Sequence, residues 1–355
     1  MKKNPLLIFV FLLSLFSIGA GYNKESSYIV IEKTTNRILE GENINNKMLV
    51  ASTAKILTAI TTIENYDLNE VITITKNDSL AIGSSIYLKE GEQITRKDLL
   101  YALMLRSAND AASALSNNNS FDFIYKMNEL AKKIGMLNST FSNASGLDEK
   151  EYNLSTAYDM AILASYASKN EEFLEIAKAH NYVSNSSLIS RTFINKHKLV
   201  NSLDEFIWGK TGYTKKSHRV LVSNYQKNNM DLIIVTINNS DDWNFHKTKA
   251  NSFNNYYFEE ILKPGIYSLA VDDEVFLVVD ERICIALKKE EINNIKYKIF
   301  LYQDYSYIYV YLKNEIIFKK RLDVMNKNNI SVWIYLSLLD SYFKEKIKLF
   351  YWCYY

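Results

Sequence analysis

The chain of 355 residues contains only two cysteines and four histidines. Cys284 and Cys353 lie far apart and form no C-x-x-C spacing, so the sequence gives no support for a disulfide, a redox motif or a cluster of metal-binding thiolates. The histidines show no H-E-x-x-H pattern and are expected to be core or surface residues. From these absences we expect neither a metal nor another cofactor.

A strong charge of either sign is also missing. The 42 basic residues nearly balance the 40 acidic ones, which leaves a formal net charge of +2 and gives no case for nucleic acid as a partner. The chain has only two prolines, and its hydrophobic share of 48% is typical of a globular protein. At this length it can bury one large core or two smaller ones.

The first 20 residues have the pattern of a secretory signal peptide. Lys2 and Lys3 precede an apolar run at 6–18, which is too short to span a bilayer comfortably, and the small residues 19–21 follow it. An uncleaved N-terminal anchor is the alternative. We expect the mature protein to act outside the cytoplasm, at the outer face of the cytoplasmic membrane.

The C-terminal segment, 326–355, combines apolar, aromatic and basic residues. The run 330–339 (ISVWIYLSLL) is followed by Lys344, Lys346 and Lys348 and then by aromatic residues. Such a segment either lies in a membrane interface or docks as a terminal helix on the body of the protein. Both alternatives stay open at this point.

The pattern of apolar residues predicts strands at both ends of 25–262 and helices between them. The strands are expected at 28–32, 37–39, 71–74, 208–212, 220–225 and 232–237. The helices are expected at 52–64, 96–105, 110–115, 121–134, 156–168 and 243–262, with a break near Ser107. Hairpin-like spacing predicts antiparallel pairing. Beyond Pro264 the residue pattern is typical of strands, which indicates a small all-β domain at 265–325.

Three short motifs occur in one order: Ser52-Thr53-Ala54-Lys55, Ser107-Ala108-Asn109 and Lys210-Thr211-Gly212. Serine needs a base to become a nucleophile, and Lys55 lies one helical turn after Ser52 on the same face. Burial and a second cation such as Lys210 would lower the pKa of Lys55 enough for it to accept the serine proton. Glycine in the third motif permits a ligand to approach the strand. Together the motifs are typical of a serine acyl-enzyme.

Each motif alone is weak, because the chain repeats two of them elsewhere. A second S-x-x-K stands at 341–344, and further S-x-N matches stand at 116–118 and 168–170. The amino-acid sequence around the motifs is more specific evidence for a family. Residues 25–262 resemble the D-alanyl-D-alanine carboxypeptidases, which are low-molecular-mass penicillin-binding proteins. The resemblance rests on "MLVASTAKILTA", "GSSIYLKEGEQITRKDLLYALMLRSANDAASAL", "GLDEKEYNLSTAYDMAILA" and "GKTGYTKKSHRVLVS".

This resemblance implies an α/β (α+β) fold: a β-lactamase/transpeptidase-like antiparallel sheet with flanking helices and a helical subdomain, followed by a small C-terminal all-β domain. It implies that Ser52 forms the acyl-ester, that Lys55 is its base and that Ser107 relays a proton to the leaving amine. The implied substrate-binding residues are Asn109, Lys210, Thr211, Gly212, Tyr213 and Arg219. In this set the backbone N–H groups of Tyr213 and Ser52 form the oxyanion hole, and Arg219 either adds charge for the substrate carboxylate or is a surface residue.

The implied reaction is removal of the terminal D-alanine from peptidoglycan pentapeptides ending in D-Ala-D-Ala, with β-lactam antibiotics as inhibitors. Two stretches depart from the family text, 143–146 (NASG) and 195–199 (NKHKL), although neither removes a motif residue. A class A-like β-lactamase is an alternative, for which 151–155 (EYNLS) is a near miss to the E-x-x-L-N motif. A non-catalytic peptidoglycan-binding protein is the other.

Overall fold

A computed structural model describes residues 25–148, 152–201, 205–269, 272–302 and 305–326. The helices in these ranges are α1 (Lys55–Asn65), α2 (Lys76–Ser79), α3 (Arg96–Tyr101), α4 (Asn109–Leu115), α5 (Phe121–Lys133), α6 (Ala157–Ala167), α7 (Glu171–Lys178) and α8 (Asp242–Ser252). The strands are β1 (Ser27–Glu32), β2 (Ile38–Glu42), β3 (Met48–Leu49), β4 (Val71–Thr73), β5 (Gln93–Thr95), β6 (Leu154–Ser155), β7 (Asn181–Asn185), β8 (Ser190–Ile194), β9 (Phe206–Thr214), β10 (His218–Lys227), β11 (Met230–Ile237), β12 (Tyr256–Leu262), β13 (Gly265–Leu269), β14 (Asp272–Val279), β15 (Ile283–Lys288), β16 (Ile295–Leu301), β17 (Tyr305–Leu312) and β18 (Glu315–Asn326).

The main sheet draws its strands from both ends of the first 262 residues, as the sequence predicted. Its order is β2-β1-β11-β10-β9, and all four neighbouring pairs are antiparallel. Both faces are covered, because Ile29 and Ile31 join the core on the side of the helical body while Val30 packs with residues of α8. The near-continuous apolar runs in β1 and β11 follow from burial on both faces.

The helical body places the first two motifs next to the sheet. The apolar positions of α1, including Ile56, Leu57 and Ile60, are fully buried in the main core. The predicted helix at 52–64 is corrected at its start: α1 begins at Lys55, and Ser52 lies in a preceding 3₁₀ turn, Ala51–Ala54. The predicted break at Ser107 is confirmed by its left-handed backbone, with φ of 58°, between a π-helical segment, Ala102–Arg106, and α4.

The predicted helix at 243–262 is wrong in its second half. Helix α8 ends at Ser252, and β12 then pairs antiparallel with β15. Asn254 and Asn255 favour a turn, and the aromatic and branched residues that follow favour a strand. The turn at Asn254 and Asn255 and the pairing of the following residues with β15 therefore replace the second half of the predicted helix.

The C-terminal part contains a second sheet, in the order β13-β14-β18-β17-β16. Its core is a separate cluster that includes Leu277, Ile308, Val310 and Leu322. This arrangement confirms the predicted strand-rich C-terminal domain. We propose 25–262 and 265–325 as the limits of the two domains; the pairing of β12 with β15 connects them.

No helix within the described ranges is long and apolar enough to cross a membrane. The predicted signal peptide at 1–20 and residues 327–355 of the predicted tail lie outside the described residues.

Candidate active site

Ser52 and Lys55 lie together at the start of the helical body. The 3₁₀ turn and the first turn of α1 bring Lys55 Nζ to 3.0 Å from Ser52 Oγ. Lys55 has no exposed surface, whereas Ser52 is half-buried. The preceding residue, Ala51, has a left-handed φ of 46°, a strained conformation that is found more often at functional sites than elsewhere. The sequence-predicted pair of nucleophile and base is thus assembled.

Lys55 also contacts two oxygens that orient it. Its Nζ lies 2.7 Å from Asn109 Oδ1 and donates a further hydrogen bond to the carbonyl oxygen of Ser145. Burial, followed by the charge of Lys210, holds the pKa of Lys55 well below its usual value. A neutral amine has two N–H donors for these two oxygens, which leaves its lone pair free to face Ser52 Oγ.

Lys210 and Ser107 form the second contact pair. Lys210, on β9, is almost fully buried and donates to Ser107 Oγ at 2.8 Å and to the carbonyl oxygen of Thr211 at 2.9 Å. Burial, followed by the charge of Lys196, lowers the pKa of Lys210 to about 7. Because Ser107 is at the helix break, its hydroxyl can point into the space between α4 and β9 rather than along a helix.

Two glycines allow neighbouring backbone to reach the turn that carries Ser52. A Cβ atom on Gly212 would lie 3.1 Å from Ser52 N and 3.1 Å from Val50 O. Gly146 has a left-handed φ of +82°, and a Cβ there would lie 1.9 Å from Ala51 O. The glycine of the third motif therefore allows β9 to approach the backbone of Ser52 closely.

The remaining predicted site residues lie on β9 and β10, and of these Thr211 joins the hydrogen-bonded cluster through its backbone carbonyl oxygen, which accepts from Lys210. Thr211 is half-buried, and Tyr213 is 64% exposed. Arg219 is exposed on β10 and is paired in register with Tyr213. Among the described residues, no side-chain hydrogen bond joins Thr211, Tyr213 or Arg219 to Ser52 or Lys55.

The loop 142–146 contributes a group that side-chain motifs do not reveal, the carbonyl oxygen of Ser145. Asn143 Oδ1 accepts from Gly146 N at 2.8 Å, and Asn153 Oδ1 accepts from Ser142 N at 2.8 Å. Asn153 Nδ2 donates to Asn143 O at 2.8 Å. Two buried asparagines thus fix the loop in the position that aims Ser145 O at Lys55. The cluster of asparagines around a glycine was the available sequence signal.

A second loop, 82–88, fixes Asn109. The Nδ2 group of Asn109 donates to Ile82 O, and its backbone N–H donates to Ser84 O, both at 2.6 Å. The neighbouring Asp110 accepts from the backbone N–H groups of Ile86 and Leu88 at 3.1 Å. Asn109 Oδ1 is left to face Lys55.

Lys196 is a third cation beside the site. Its Nζ donates to Ser84 Oγ at 3.3 Å, and its charge contributes to the lowered pKa values of both Lys55 and Lys210. It lies in the stretch 195–199 that departs from the family text. In the described part of the chain, no group of three histidine, cysteine, aspartate or glutamate residues could hold a metal ion.

Comparison with known proteins agrees with this geometry. The family profile for D-alanyl-D-alanine carboxypeptidase matches residues 20–241. The D-alanyl-D-alanine carboxypeptidase DacF of Bacillus subtilis is 28% identical over 297 residues, which cover 78% of this chain and 76% of the relative.

Two solved structures are also similar. A D-alanyl-D-alanine carboxypeptidase from Mycobacterium tuberculosis is 27% identical, with a TM-score of 0.58 over 61% of this chain and 83% of that one. Penicillin binding protein 5 from Haemophilus influenzae has a TM-score of 0.71 over 84% of this chain and 96% of that one; at 21% identity it supports the fold alone. With the family matched across the whole catalytic sheet and all three motifs, the chain belongs to the D-alanyl-D-alanine carboxypeptidases, serine hydrolases that act through an acyl-enzyme on peptidoglycan outside the cytoplasm.

Proposed function

We propose that Ser52 is the residue acylated in this enzyme and that Lys55 is its base. The observation that carries the assignment is the fully buried Lys55 with its Nζ 3.0 Å from Ser52 Oγ. Burial, followed by the nearby cations, lowers the pKa of Lys55, which favours the neutral amine that can accept a proton.

In the first half of the reaction, Ser52 Oγ attacks the carbonyl carbon between the two terminal D-alanines while its proton passes to Lys55. The backbone N–H groups of Ser52 and Tyr213 bind the oxyanion that forms. Lys55 then gives up this proton through Ser107, which is held by Lys210, to the amine of the terminal D-alanine as the C–N bond breaks, so that Lys55 is neutral again. The products are free D-alanine and an ester on Ser52.

In the second half, water hydrolyses the ester. Lys55 accepts a proton from the water, the hydroxide adds to the ester carbonyl, and Ser52 Oγ leaves and recovers the proton. The enzyme is thereby regenerated. A β-lactam ring opens by the same attack but leaves a longer-lived ester, which accounts for inhibition.

We assign binding of the substrate's terminal carboxylate to Lys210 and Thr211. The buried ammonium group of Lys210 supplies charge where solvent screening is weak. Asn109 holds the substrate backbone, and Gly212 leaves room for the peptide beside β9. Arg219 is exposed, so it either adds to the attraction of the carboxylate or remains a surface arginine.

The β-lactamase alternative requires a carboxylate that positions water for fast deacylation. Glu151, the acidic residue of the near-miss motif, lies outside the described residues. The asparagine that ends the E-x-x-L-N motif is replaced by Ser155 in this chain. This departure favours the carboxypeptidase.

We also propose that residues 1–20 direct export and that the tail, 326–355, lies at the outer surface of the cytoplasmic membrane. The charged start, short apolar run and small residues support the first assignment. The mixture of tryptophan, tyrosine and lysine supports the second.

The test is covalent labelling with a penicillin, followed by intact mass and peptide mapping. We expect one adduct, on Ser52, that lasts minutes or longer, together with release of D-alanine from a pentapeptide. Ser52→Ala should abolish both, and Ser341→Ala, in the second S-x-x-K of the chain, should change neither. Rapid turnover of the drug would favour the β-lactamase, and a folded protein with no adduct would contradict both enzyme assignments.

A further inference from the structure

The second sheet has two unlike faces. On β17, Ser306, Ile308 and Val310 are fully buried in the C-terminal core. The alternate residues point the other way and are half-buried: Tyr305, Tyr307, Tyr309 and Tyr311. We call this surface, with the residues of β16 and β18 paired to it, the tyrosine face.

Cations cover the rings of the tyrosine face. Lys319 Nζ lies 4.1 Å from the ring centroid of Tyr307, and the guanidinium carbon of Arg321 lies 4.6 Å from that of Tyr305. The rings also contact one another, with centroids 6.1 Å apart between Tyr307 and Tyr309. Cation–π contacts restrict the long basic side chains without neutralising them. The result is an ordered layer of positive charge.

The charge on this face is segregated from that of the rest of the domain. Residues 265–326 contain nine lysines and arginines and ten aspartates and glutamates. Four of the basic residues are in register with the tyrosines and share their face: Lys296, Lys298, Lys319 and Arg321. Within the described strands β16–β18, Asp323 is the one carboxylate in register with the same face. A nearly neutral domain therefore has one distinctly basic side.

We propose that the tyrosine face rests on an anionic lipid surface. Tyrosine and basic residues together are the side chains that favour the level of the headgroups, where the ring is partly desolvated and the cation meets phosphate. The chain continues from this sheet, through Asn326 at the end of β18, into a segment with the apolar run 330–339 and three further lysines. Two weak membrane contacts in one chain, here the tyrosine face and the C-terminal segment, bind a membrane far better than either does alone.

A polymer of the cell wall is the competing partner for a basic aromatic surface. Sugars recognised by aromatic side chains stack on open ring faces. Here Lys319, Arg321 and Lys298 stand over the rings, the last at 5.4 Å from the centroid of Tyr311. The covered rings favour contact with anionic headgroups over sugar stacking.

The proposal adds a second membrane contact to the tail and rests on the extracytoplasmic location proposed above. Its test is co-sedimentation of the exported chain, from residue 21, with vesicles of phosphatidylglycerol and phosphatidylcholine. Lys319→Gln/Arg321→Gln removes two charges from the tyrosine face. Lys320→Gln/Lys289→Gln removes two charges elsewhere, since Lys320 is on the opposite face beside Glu281 and Lys289 is exposed after β15.

We expect the first double variant to bind anionic vesicles roughly tenfold or more weakly than the parent, with little loss in the second. All three proteins should bind pure phosphatidylcholine alike. Equal losses in the two variants would overturn the proposal. If the first double variant lost binding to purified peptidoglycan and kept its binding to vesicles, the proposal would be overturned in favour of a wall polymer. Penicillin labelling of Ser52 in each sample reports separately on the proposed function.

Discussion

Lys55 and Lys210 are two buried lysines that interact electrostatically, and the role proposed for each requires a particular protonation state. Lys55, the proposed base, must lose its proton, whereas Lys210, whose pKa is lowered to about 7, must keep its proton to bind the substrate carboxylate as proposed. Activity is therefore expected to rise with pH as Lys55 is deprotonated and to fall as Lys210 loses its charge. Because the two groups interact, the two limbs of this profile belong to the pair.

Lys196 contributes to the position of that profile, after the larger effect of burial. Its charge contributes to the lowered pKa values of Lys55 and Lys210, so Lys196→Gln should raise both. We expect the profile of penicillin acylation against pH to move to higher pH by roughly one unit, with a several-fold lower rate at neutral pH. Lys198→Gln, an exposed neighbour on the same segment, is the control. An unshifted profile in Lys196→Gln would show that solvent screens its charge from the site.

At the scale of elements, the site depends on backbone segments that approach without side chains between them. Gly146 and Gly135 both have left-handed φ values, of +82° and +97°. A Cβ on Gly146 would collide with the carbonyl of Ala51, whereas a Cβ on Gly135 would meet nothing within 4 Å. Alanine substitutions at these two glycines therefore separate the free-energy cost of the left-handed backbone conformation from the cost of displacing the loop.

We expect Gly135→Ala to lower the free energy of unfolding by about 1 kcal/mol and to leave acylation intact. Gly146→Ala should lower it further and abolish acylation, because the Ser145 carbonyl can no longer reach Lys55. Denaturant unfolding and penicillin labelling measure the two effects. Normal labelling of Gly146→Ala would mean that the Ser145 carbonyl is dispensable.

Some of these elements could be predicted from sequence patterns and others could not. The paired strands of the main sheet follow from long apolar runs, and the break at Ser107 follows from the interrupted helical pattern there. The 3₁₀ turn at Ser52 was missed because apolar spacing does not distinguish it from the first turn of α1. The carbonyl of Ser145 was missed because a backbone group belongs to no side-chain motif, and the asparagines that hold its loop indicate a turn rather than a site. The second half of the helix at 243–262 was wrong because its aromatic residues pair with a distant strand, β15.

At the scale of the whole molecule, two neutral histidines join α8 to the main sheet. His246, on α8, is fully buried, with Nδ1 2.9 Å from Ser223 Oγ and Nε2 3.0 Å from Thr236 Oγ1. His197 is buried against Trp243 of the same helix, with ring centroids 4.8 Å apart. Burial lowers the pKa of His246 to about 3 and holds that of His197 well below its usual value. Charging either ring would separate the helix from the sheet.

The consequence is a loss of stability in mild acid. A histidine whose pKa is lower in the folded state stabilises the fold fully above its unfolded value, near 6.5, and loses this contribution as pH falls toward the folded value, about 3. Between about pH 6.5 and about pH 5, above the range of ordinary carboxyl groups, His246 alone should remove about 1.5 kcal/mol from the free energy of unfolding, and His197 acts in the same direction. Denaturant unfolding at several pH values should show a shallower slope of the free energy of unfolding against pH for His246→Gln than for the parent. An unchanged slope in His246→Gln would mean that α8 separates from the sheet before its histidine is protonated.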